Sequence, residues 1–381
     1  MALIMSGKSD GLRRFKGIAM GLMVALAGLP ASAFAQSEPD TTRKEIKVLG
    51  ISLDTLLKVR PPKVDTNYIA SYYSHLHLRL LAQGHDYFLQ LIGKQDHLTY
   101  KPNGASSFGV GVSYSWLSVE LTTKVPYANQ NLQASRGKTK QFGTSLSYNG
   151  RRVWFNTSYQ SYRGLYLNNP EILEKDWFTT HFEYPQRPDL VSRTWYSSLY
   201  YCFNHRQFSN PASLMQRERQ KKSAGSFLVG ATLIYTQIKG DSSLFPRVVR
   251  PLFPTDADLI DYRSFSYSLN AGYIRTFVFR NYFFTTLLVR PGVSLHNATS
   301  VSAGAETHSL PIRVGLQGDS RITVGYNNGR YFAGASYAVV FLSGNLEGAN
   351  ILRSYNTDIR LVIGMHFPFK PKGLLHKLPG F

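Results

Sequence analysis

The sequence of residues 355–369 is YNTDIRLVIGMHFPF, in which apolar and polar side chains alternate. In an extended chain one face would be largely apolar and aromatic, formed by Tyr355, Thr357, Ile359, Leu361, Ile363, Met365, Phe367 and Phe369. The opposite face would be polar apart from Val362, with Asn356, Asp358, Arg360, Gly364 and His366. The wall of a transmembrane β-barrel requires strands of about this length, apolar outside and polar inside. This stretch therefore predicts a lipid-facing barrel strand.

The same alternation recurs from residue 68 to residue 369. It predicts strands at 68–81, 86–101, 106–125, 139–149, 151–162, 192–204, 223–237, 264–278, 282–294, 307–327, 330–342 and 355–369. A soluble β-sandwich has the same period, but it would not combine so many aromatic faces with opposite faces of Ser, Thr, Asn, Gly and Arg. We predict an all-β fold, an antiparallel transmembrane β-barrel of about 12 strands over 68–369.

Short turns and long loops alternate between these strands. Tight-turn signals at Asn149-Gly150, Arg280-Asn281 and Asn327-Asn328-Gly329 fall on the side of both predicted barrel termini. The long stretches 164–190, 238–262, 295–306 and 343–354 fall on the other, outer side, whereas 205–222 is an unexpectedly long loop on the periplasmic side. Segments 106–125 and 307–327 each fit one bulged strand or two strands. The pattern therefore also fits 10 or 14 strands.

The N-terminus has the features of an export signal. Basic residues Arg13, Arg14 and Lys16 precede the apolar stretch 17–29, and Ala33-Phe34-Ala35 has the small-x-small pattern of a cleavage site. An uncleaved anchor is the alternative, but the apolar stretch is short for a membrane span. We predict a cleaved signal peptide at 1–35, a periplasmic leader at 36–67 and a periplasmic C-terminal tail at 370–381.

Composition restricts the class of protein and its partners. The single cysteine, Cys202, excludes a disulfide framework and a cysteine-rich metal site, and no cofactor is predicted. The net charge of +20 is scattered through predicted loops and turns, without a basic helix. We therefore expect partners among outer-membrane lipid, the barrel-assembly machinery and small anionic solutes rather than nucleic acid.

Several short motifs occur in a characteristic order along the chain. They are DTNYI at 65–69, YKPN at 100–103, GVGVSY at 109–114, QKKSAGS at 220–226, GYN at 325–327 and YFAG at 331–334. Together they resemble a family known as a domain of unknown function, DUF4421. The resemblance spans most of the predicted mature chain. It implies an outer-membrane barrel without an assigned activity, and it supplies no catalytic residue.

Polar residues on the predicted inward faces are candidates to line the lumen: His75, His77, Arg79, Arg290, Arg321, Asp358 and Arg360. A ring of arginines would favour anionic solutes. Alternatively, the arginines pair with Asp358 and Glu120 in a plugged interior, because twelve strands leave a narrow lumen. His75 and His77 share a strand face, but no third metal ligand is apparent. Solvated or hydrogen-bonded histidines are favoured, so no metal or catalytic residue is assigned.

Three functions are consistent with this pattern. The polar inward face and its arginines favour a passive channel or transporter for small, anionic solutes. A closed barrel that serves as a surface scaffold or adhesion platform is the alternative, with its function in the outer loops. A membrane-embedded hydrolase with His75 or His77 as base is the third. It is the least favoured, because the chain contains no G-x-S-x-G, H-E-x-x-H or phosphate-binding glycine motif.

Overall fold

The computed structural model describes residues 47–48, 51–52, 64–72, 74–104, 106–114, 117–124, 132–304, 307–347 and 350–369. The predicted signal peptide, most of the predicted leader and the predicted C-terminal tail lie outside these residues. The chain divides into two compact units, Met1–Leu57 and Lys58–Phe381. In the first unit, β1 (Lys47–Val48) and β2 (Ile51–Ser52) pair as an antiparallel hairpin.

The second unit is built almost entirely of antiparallel strands. They are β3 (Ile69–Ser71), β4 (His75–Ile92), β5 (His97–Pro102), β6 (Ser107–Tyr114), β7 (Leu117–Lys124), β8 (Lys140–Asn149), β9 (Val153–Leu167), β10 (Gln186–Cys202), β11 (Glu218–Gln220), β12 (Ala224–Lys239), β13 (Leu259–Phe279), β14 (Phe283–Ser302), β15 (Thr307–Ser309), β16 (Arg313–Asn327), β17 (Tyr331–Asn345) and β18 (Ile351–Pro368). Short helical turns occur at Gln133–Arg136, Pro170–Ile172, Trp177–Thr180, Asn210–Leu214 and Arg247–Leu252.

Ten strands close into a barrel, in the order β4, β18, β17, β16, β14, β13, β12, β10, β9 and β5, which returns to β4. The first and last of the long strands meet in one continuous ladder, from His75 opposite Pro368 to Ile92 opposite Ile351. Four strands of the same sheet lie outside this ring: β15 beside β14, β8 beside β9, and β6 and β7 beside β4. The predicted all-β antiparallel barrel is confirmed, although the strand count differs slightly from twelve.

Two predicted boundaries need correction. The break predicted between 81 and 86 does not exist, because β4 runs through Gly84 and pairs with β18 over its whole length. The continuous backbone ladder shows that the chain stays extended through the predicted break. For the two ambiguous segments the two-strand alternative is correct: 106–125 contains β6 and β7, and 307–327 contains β15 and β16.

The outward face of the barrel is apolar. Large side chains that point away from the ring are exposed, among them Leu121, Leu269, Val314 and Phe227 at 69%, 75%, 67% and 69%. Their neighbours along the strands, such as Ser268, Asn270 and Ser226, are buried and point inward. This alternation, apolar outside and polar inside, is what lipid around a barrel requires. No helix in the part of the chain that the structure describes is long and apolar enough to span a membrane.

The far end of the barrel, opposite the hairpin turns at 280–282 and 328–330, is closed by an apolar cap. The loop between β12 and β13 folds inward, and Leu244, Phe245, Val249 and Phe253 are fully buried against strand residues such as Tyr100. The Tyr100 hydroxyl donates a 2.7 Å hydrogen bond to the carbonyl oxygen of Leu244. Burial of these four side chains favours the closed mouth by the hydrophobic effect.

The near end, where the hairpin turns lie, is closed by a polar plug formed by residues 203–222 and β3. Its helical turn Asn210–Leu214 is mostly buried, and β11 pairs with β3. Glu218 is the central anchor of the plug. Its carboxylate accepts hydrogen bonds from Arg151 at 2.5 Å, from Ser71 at 3.3 Å and from the Ser209 hydroxyl. The long periplasmic-side loop predicted from the sequence is therefore a folded plug.

Candidate lumen site

Charged side chains meet between the two closures. On one wall Arg79 of β4 lies across Gly111 of β6 and reaches Glu120 of β7, with 2.8 Å between Arg79 Nε and Glu120 Oε1. Arg360 of β18 donates to the same carboxylate oxygen at 2.5 Å. Arg79 also donates to Ser113 at 2.8 Å. Two guanidinium groups thus share one carboxylate, which leaves that group of three with a net positive charge.

On the opposite wall Arg290 and Asp319 form a buried ion pair. Arg290 Nε and Nη2 lie 3.0 Å and 2.6 Å from the two carboxylate oxygens, the bidentate geometry that suits a guanidinium group. The guanidinium carbon lies 3.9 Å from the centre of the Tyr200 ring. This stacking and pairing satisfy Arg290 fully, so it is held in place rather than available to a solute.

Arg321 differs from the other three arginines. It lies on β16, in the same row of the sheet as Ala338, Asp358 and His85 on the next three strands. Asp358 is already engaged, since one carboxylate oxygen lies 3.1 Å from His85 Nδ1. Among the described residues no partner stands within hydrogen-bonding or ion-pair distance of Arg321, and its side chain is only partly buried. Within the described part of the chain, Asp358 and Asp319 interact with Arg321 electrostatically but form no hydrogen bond with it.

The predicted histidine candidates occupy the near end. His77 Nδ1 lies 2.6 Å from Nδ1 of His366, the cross-strand partner of His77 on β18. The Tyr72 ring stacks on His366 and meets His75 edge-on, with ring centroids 4.8 Å and 5.6 Å apart. No group of three or more side chains in the described ranges is arranged to hold a metal. These aromatic side chains therefore pack against one another in the wall at the near end of the barrel.

Sequence reasoning missed two polar groups of the interior. His366 was placed on the polar face of the final strand but not beside His77, because strand pairing cannot be read from one segment. His296 accepts or donates hydrogen bonds to Ser266 at 2.6 Å and Ser294 at 2.7 Å. All three are buried, and their short contacts fill the interior near the far cap. His296 lies in the stretch 295–306 that was predicted as an outer loop, whereas β14 continues to Ser302.

Comparison with known proteins places this architecture in a family. The sequence profile of a domain of unknown function, DUF4421, matches residues 63–367. The chain belongs to the DUF4421 family. The match begins before β3 and ends within β18, so the family unit includes the near plug, the far cap and the complete ring. No curated protein matches the sequence.

Several solved structures of outer-membrane proteins are similar at low identity. The toluene transporter TodX of Pseudomonas putida is 10% identical, with 77% of this chain and 90% of that chain covered and a TM-score of 0.25. The translocator domain of the autotransporter NalP from Neisseria meningitidis is 10% identical, with 80% and 90% covered and a TM-score of 0.30. An outer membrane channel from Pseudomonas putida F1 is 7% identical, with 76% and 95% covered and a TM-score of 0.24. Similarities this low carry no functional information.

Proposed function

We propose that the chain is an outer-membrane transport barrel for small anionic solutes, seen here with both ends closed. The observation that carries this proposal is Arg321, a guanidinium group that faces the interior and has no hydrogen-bond or ion-pair partner among the described residues. An unpaired, partly desolvated guanidinium group attracts carboxylates and phosphates strongly. A barrel with a purely structural interior would gain nothing from such a group, since an unpaired charge inside a protein is costly.

The local charge balance supports an anion at this place. Four guanidinium groups, those of Arg79, Arg290, Arg321 and Arg360, are accompanied by three carboxylates, those of Glu120, Asp319 and Asp358. Among these seven side chains, one positive charge remains uncompensated. Rings of positive side chains select anions in pores. The alternative predicted from the sequence is that the arginines pair with carboxylates in a plugged interior. Arg79, Arg290 and Arg360 form such pairs, whereas Arg321 forms none among the described residues.

The near plug is the element best suited to open. It consists of one loop and the short strand β3, and a single carboxylate, that of Glu218, links Arg151, Ser209 and Ser71. The far cap, by contrast, is held by a large apolar cluster. Because polar contacts exchange readily with water once a buried charge loses its partner, we propose that solute passage begins with displacement of residues 203–222.

A second function is favoured by the closure itself. Two closed ends suit a surface scaffold or adhesion platform, in which the far loops carry the activity and the interior only supports them. In both proposals the far end faces the exterior and the near end faces the periplasm. The two functions differ in whether the interior ever conducts.

Single-channel recording in planar bilayers separates them. We expect the refolded barrel to conduct rarely, Glu218→Gln to raise its open probability by about tenfold or more, and both to prefer anions in asymmetric salt. Adding Arg321→Gln to Glu218→Gln is expected to abolish the anion preference. The matched control is Arg247→Gln, which removes an exposed arginine of the far loop. A folded Glu218→Gln barrel without current would overturn transport and leave the scaffold.

A further inference from the structure

The wall of the barrel has two free strand edges. β7 pairs only with β6, and β8 pairs only with β9, within the residues that the structure describes. All the ring strands have partners at both edges. β7 and β8 are consecutive along the chain and run in opposite directions, yet no hydrogen-bonded ladder joins residues 117–124 to residues 140–149. We call this place the seam.

The seam exists because β5 and β9, which complete the ring at this place, share only a very short ladder. β5 pairs with β9 through Tyr100, Lys101 and Pro102, opposite Leu167, Tyr166 and Leu165. Nearer the turns, β4 continues into β6 and β7, whereas β9 continues into β8. The sheet therefore divides beyond three paired residues. Backbone groups of lipid-exposed strands are normally all paired, because lipid offers no alternative partners.

The side chains of β8 are unusual for a barrel strand, because both of its faces are exposed. Phe142, Leu146 and Tyr148, which share the outer face, are 61%, 60% and 48% exposed. On the inner face, Gly143, Ser145 and Ser147 are exposed as well, whereas inward serines of the fully paired strands β13 and β14 are buried. The β8 side of the seam thus has an apolar rim toward lipid and a small, polar lining toward the interior, whereas the inner face of β7 carries Glu120, bound to Arg79 and Arg360.

Arg321 lies on the side of the ring that faces the seam. From β7 the strand order runs through β6, β4, β18 and β17 to β16, and from β8 it runs through β9, β10, β12, β13 and β14 to β16. β16 is therefore about equally far from both free edges. Both barrel ends are closed, by the apolar cap and by the polar plug. The seam is the discontinuity of the described wall, and its polar lining leads toward Arg321, which has no ion-pair partner among the described residues.

We propose that the seam is a lateral portal for anionic amphiphiles, molecules with one carboxylate or phosphate head and an alkyl chain. The head would bind Arg321 in the interior, and the chain would leave between Leu121 on β7 and Phe142 and Leu146 on β8. An amphiphile fits because it alone matches an apolar rim and a polar lining at once. This inference rests on the proposed transport function and names its solute class.

Labelling from the lipid phase tests the portal. In a Cys202→Ser background, single cysteines are placed at Ser145, on the inner face of β8, and at Ser336, an inward and half-buried serine on β17, which has partners at both edges. Leu146→Cys on the outer face of β8 shows that the reagent reaches the strand. A long-chain alkyl maleimide dissolved in the vesicle membrane is expected to label Ser145→Cys about tenfold or more faster than Ser336→Cys. Equal slow labelling of both, with Leu146→Cys labelled, would overturn the portal.

Competition identifies the solute class. Dodecanoate is expected to slow the labelling of Ser145→Cys, and Arg321→Gln to remove that protection, whereas dodecanol gives none. Protection by dodecanol equal to that by dodecanoate would overturn the anionic head. Because labelling does not require current, a silent barrel that is labelled through the seam would refute conduction of small anions while retaining the portal. A barrel that conducts small anions without labelling of Ser145→Cys would refute the portal while retaining conduction.

Discussion

Arg79 contacts Glu120 by passing over Gly111, so that a side chain of β4 holds a carboxylate of β7 two strands away. Arg79 Nε lies 2.8 Å from Glu120 Oε1, and Ser118 and Ser113 accept from the remaining guanidinium nitrogens at 2.5 Å and 2.8 Å. Among the described residues β7 has one strand partner, β6, so this bond supplies from the inside part of the restraint that a second ladder would supply.

Gly111→Val is expected to destabilise the barrel, because β7 loses its contact with Arg79. A Cβ atom at residue 111 would lie 2.5 Å from Arg79 Nε and 2.8 Å from its Cγ, so the arginine must leave its path to Glu120. We expect a loss of roughly 3–5 kcal/mol, as for other buried ion pairs that lose one partner. Urea unfolding of the barrel in vesicles measures it. Gly304→Ala is the control, since no atom lies within 4 Å of that Cβ position. Equal stability of the two variants would contradict this role of Gly111.

Asp319→Asn is expected to destabilise the barrel far more than a comparable change at an exposed pair. The Arg290–Asp319 pair is buried, and its neutralisation leaves a stacked guanidinium group without its counter-charge, at a cost of about 3–5 kcal/mol. The Arg250–Asp258 pair is largely exposed, so Asp258→Asn should cost at most about 1 kcal/mol. Unfolding midpoints of the two variants give the comparison, and similar losses would argue against a buried, bidentate pair.

The far cap is expected to become more stable as the pH falls. Burial raises the pKa of Asp256, although the carboxylate accepts hydrogen bonds from Asn350 and the Glu347 backbone. A carboxyl group whose pKa is raised by folding contributes stability that is full below its unfolded pKa and is lost as pH rises through the folded pKa. Protection of residues 244–253 against hydrogen exchange should therefore rise as pH falls from about 7 toward about 4. In Asp256→Asn this dependence should disappear; an unchanged pH profile would refute it.

Glu218→Gln is expected to expose the near plug to proteases. The carboxylate anchors Arg151 and Ser209, and an amide cannot replace its charge toward the guanidinium group. Cleavage at Arg217 or Arg219 by trypsin in folded barrels should accelerate, while the ring stays intact on gels. Glu347→Gln, at the far end, serves as the control and should leave this cleavage unchanged. Resistance equal to that of the unaltered protein would show that the plug does not depend on Glu218.

The barrel was predictable from the sequence, because a period of two with aromatic outer faces is a local property. Strand boundaries were less predictable: a break was predicted between 81 and 86, but Gly84 in that stretch pairs with Ile359, on a strand far away in the sequence. The same reason limits how much of the site can be predicted from the sequence. The inward parity of Arg79 and Arg321 can be read from alternation. Strand order is needed to show that Arg79 contacts Glu120 and that Arg321 has no ion-pair partner among the described residues.

The ladder between β4 and β18 determines when the barrel can close during assembly. Its register runs from His75 opposite Pro368 to Ile92 opposite Ile351, so each of its contacts joins the beginning of the barrel to its end. Contacts of such high sequence separation are slow to form, because the entropy of the intervening loop is lost first. The ring therefore cannot close until the last strand, β18, is present.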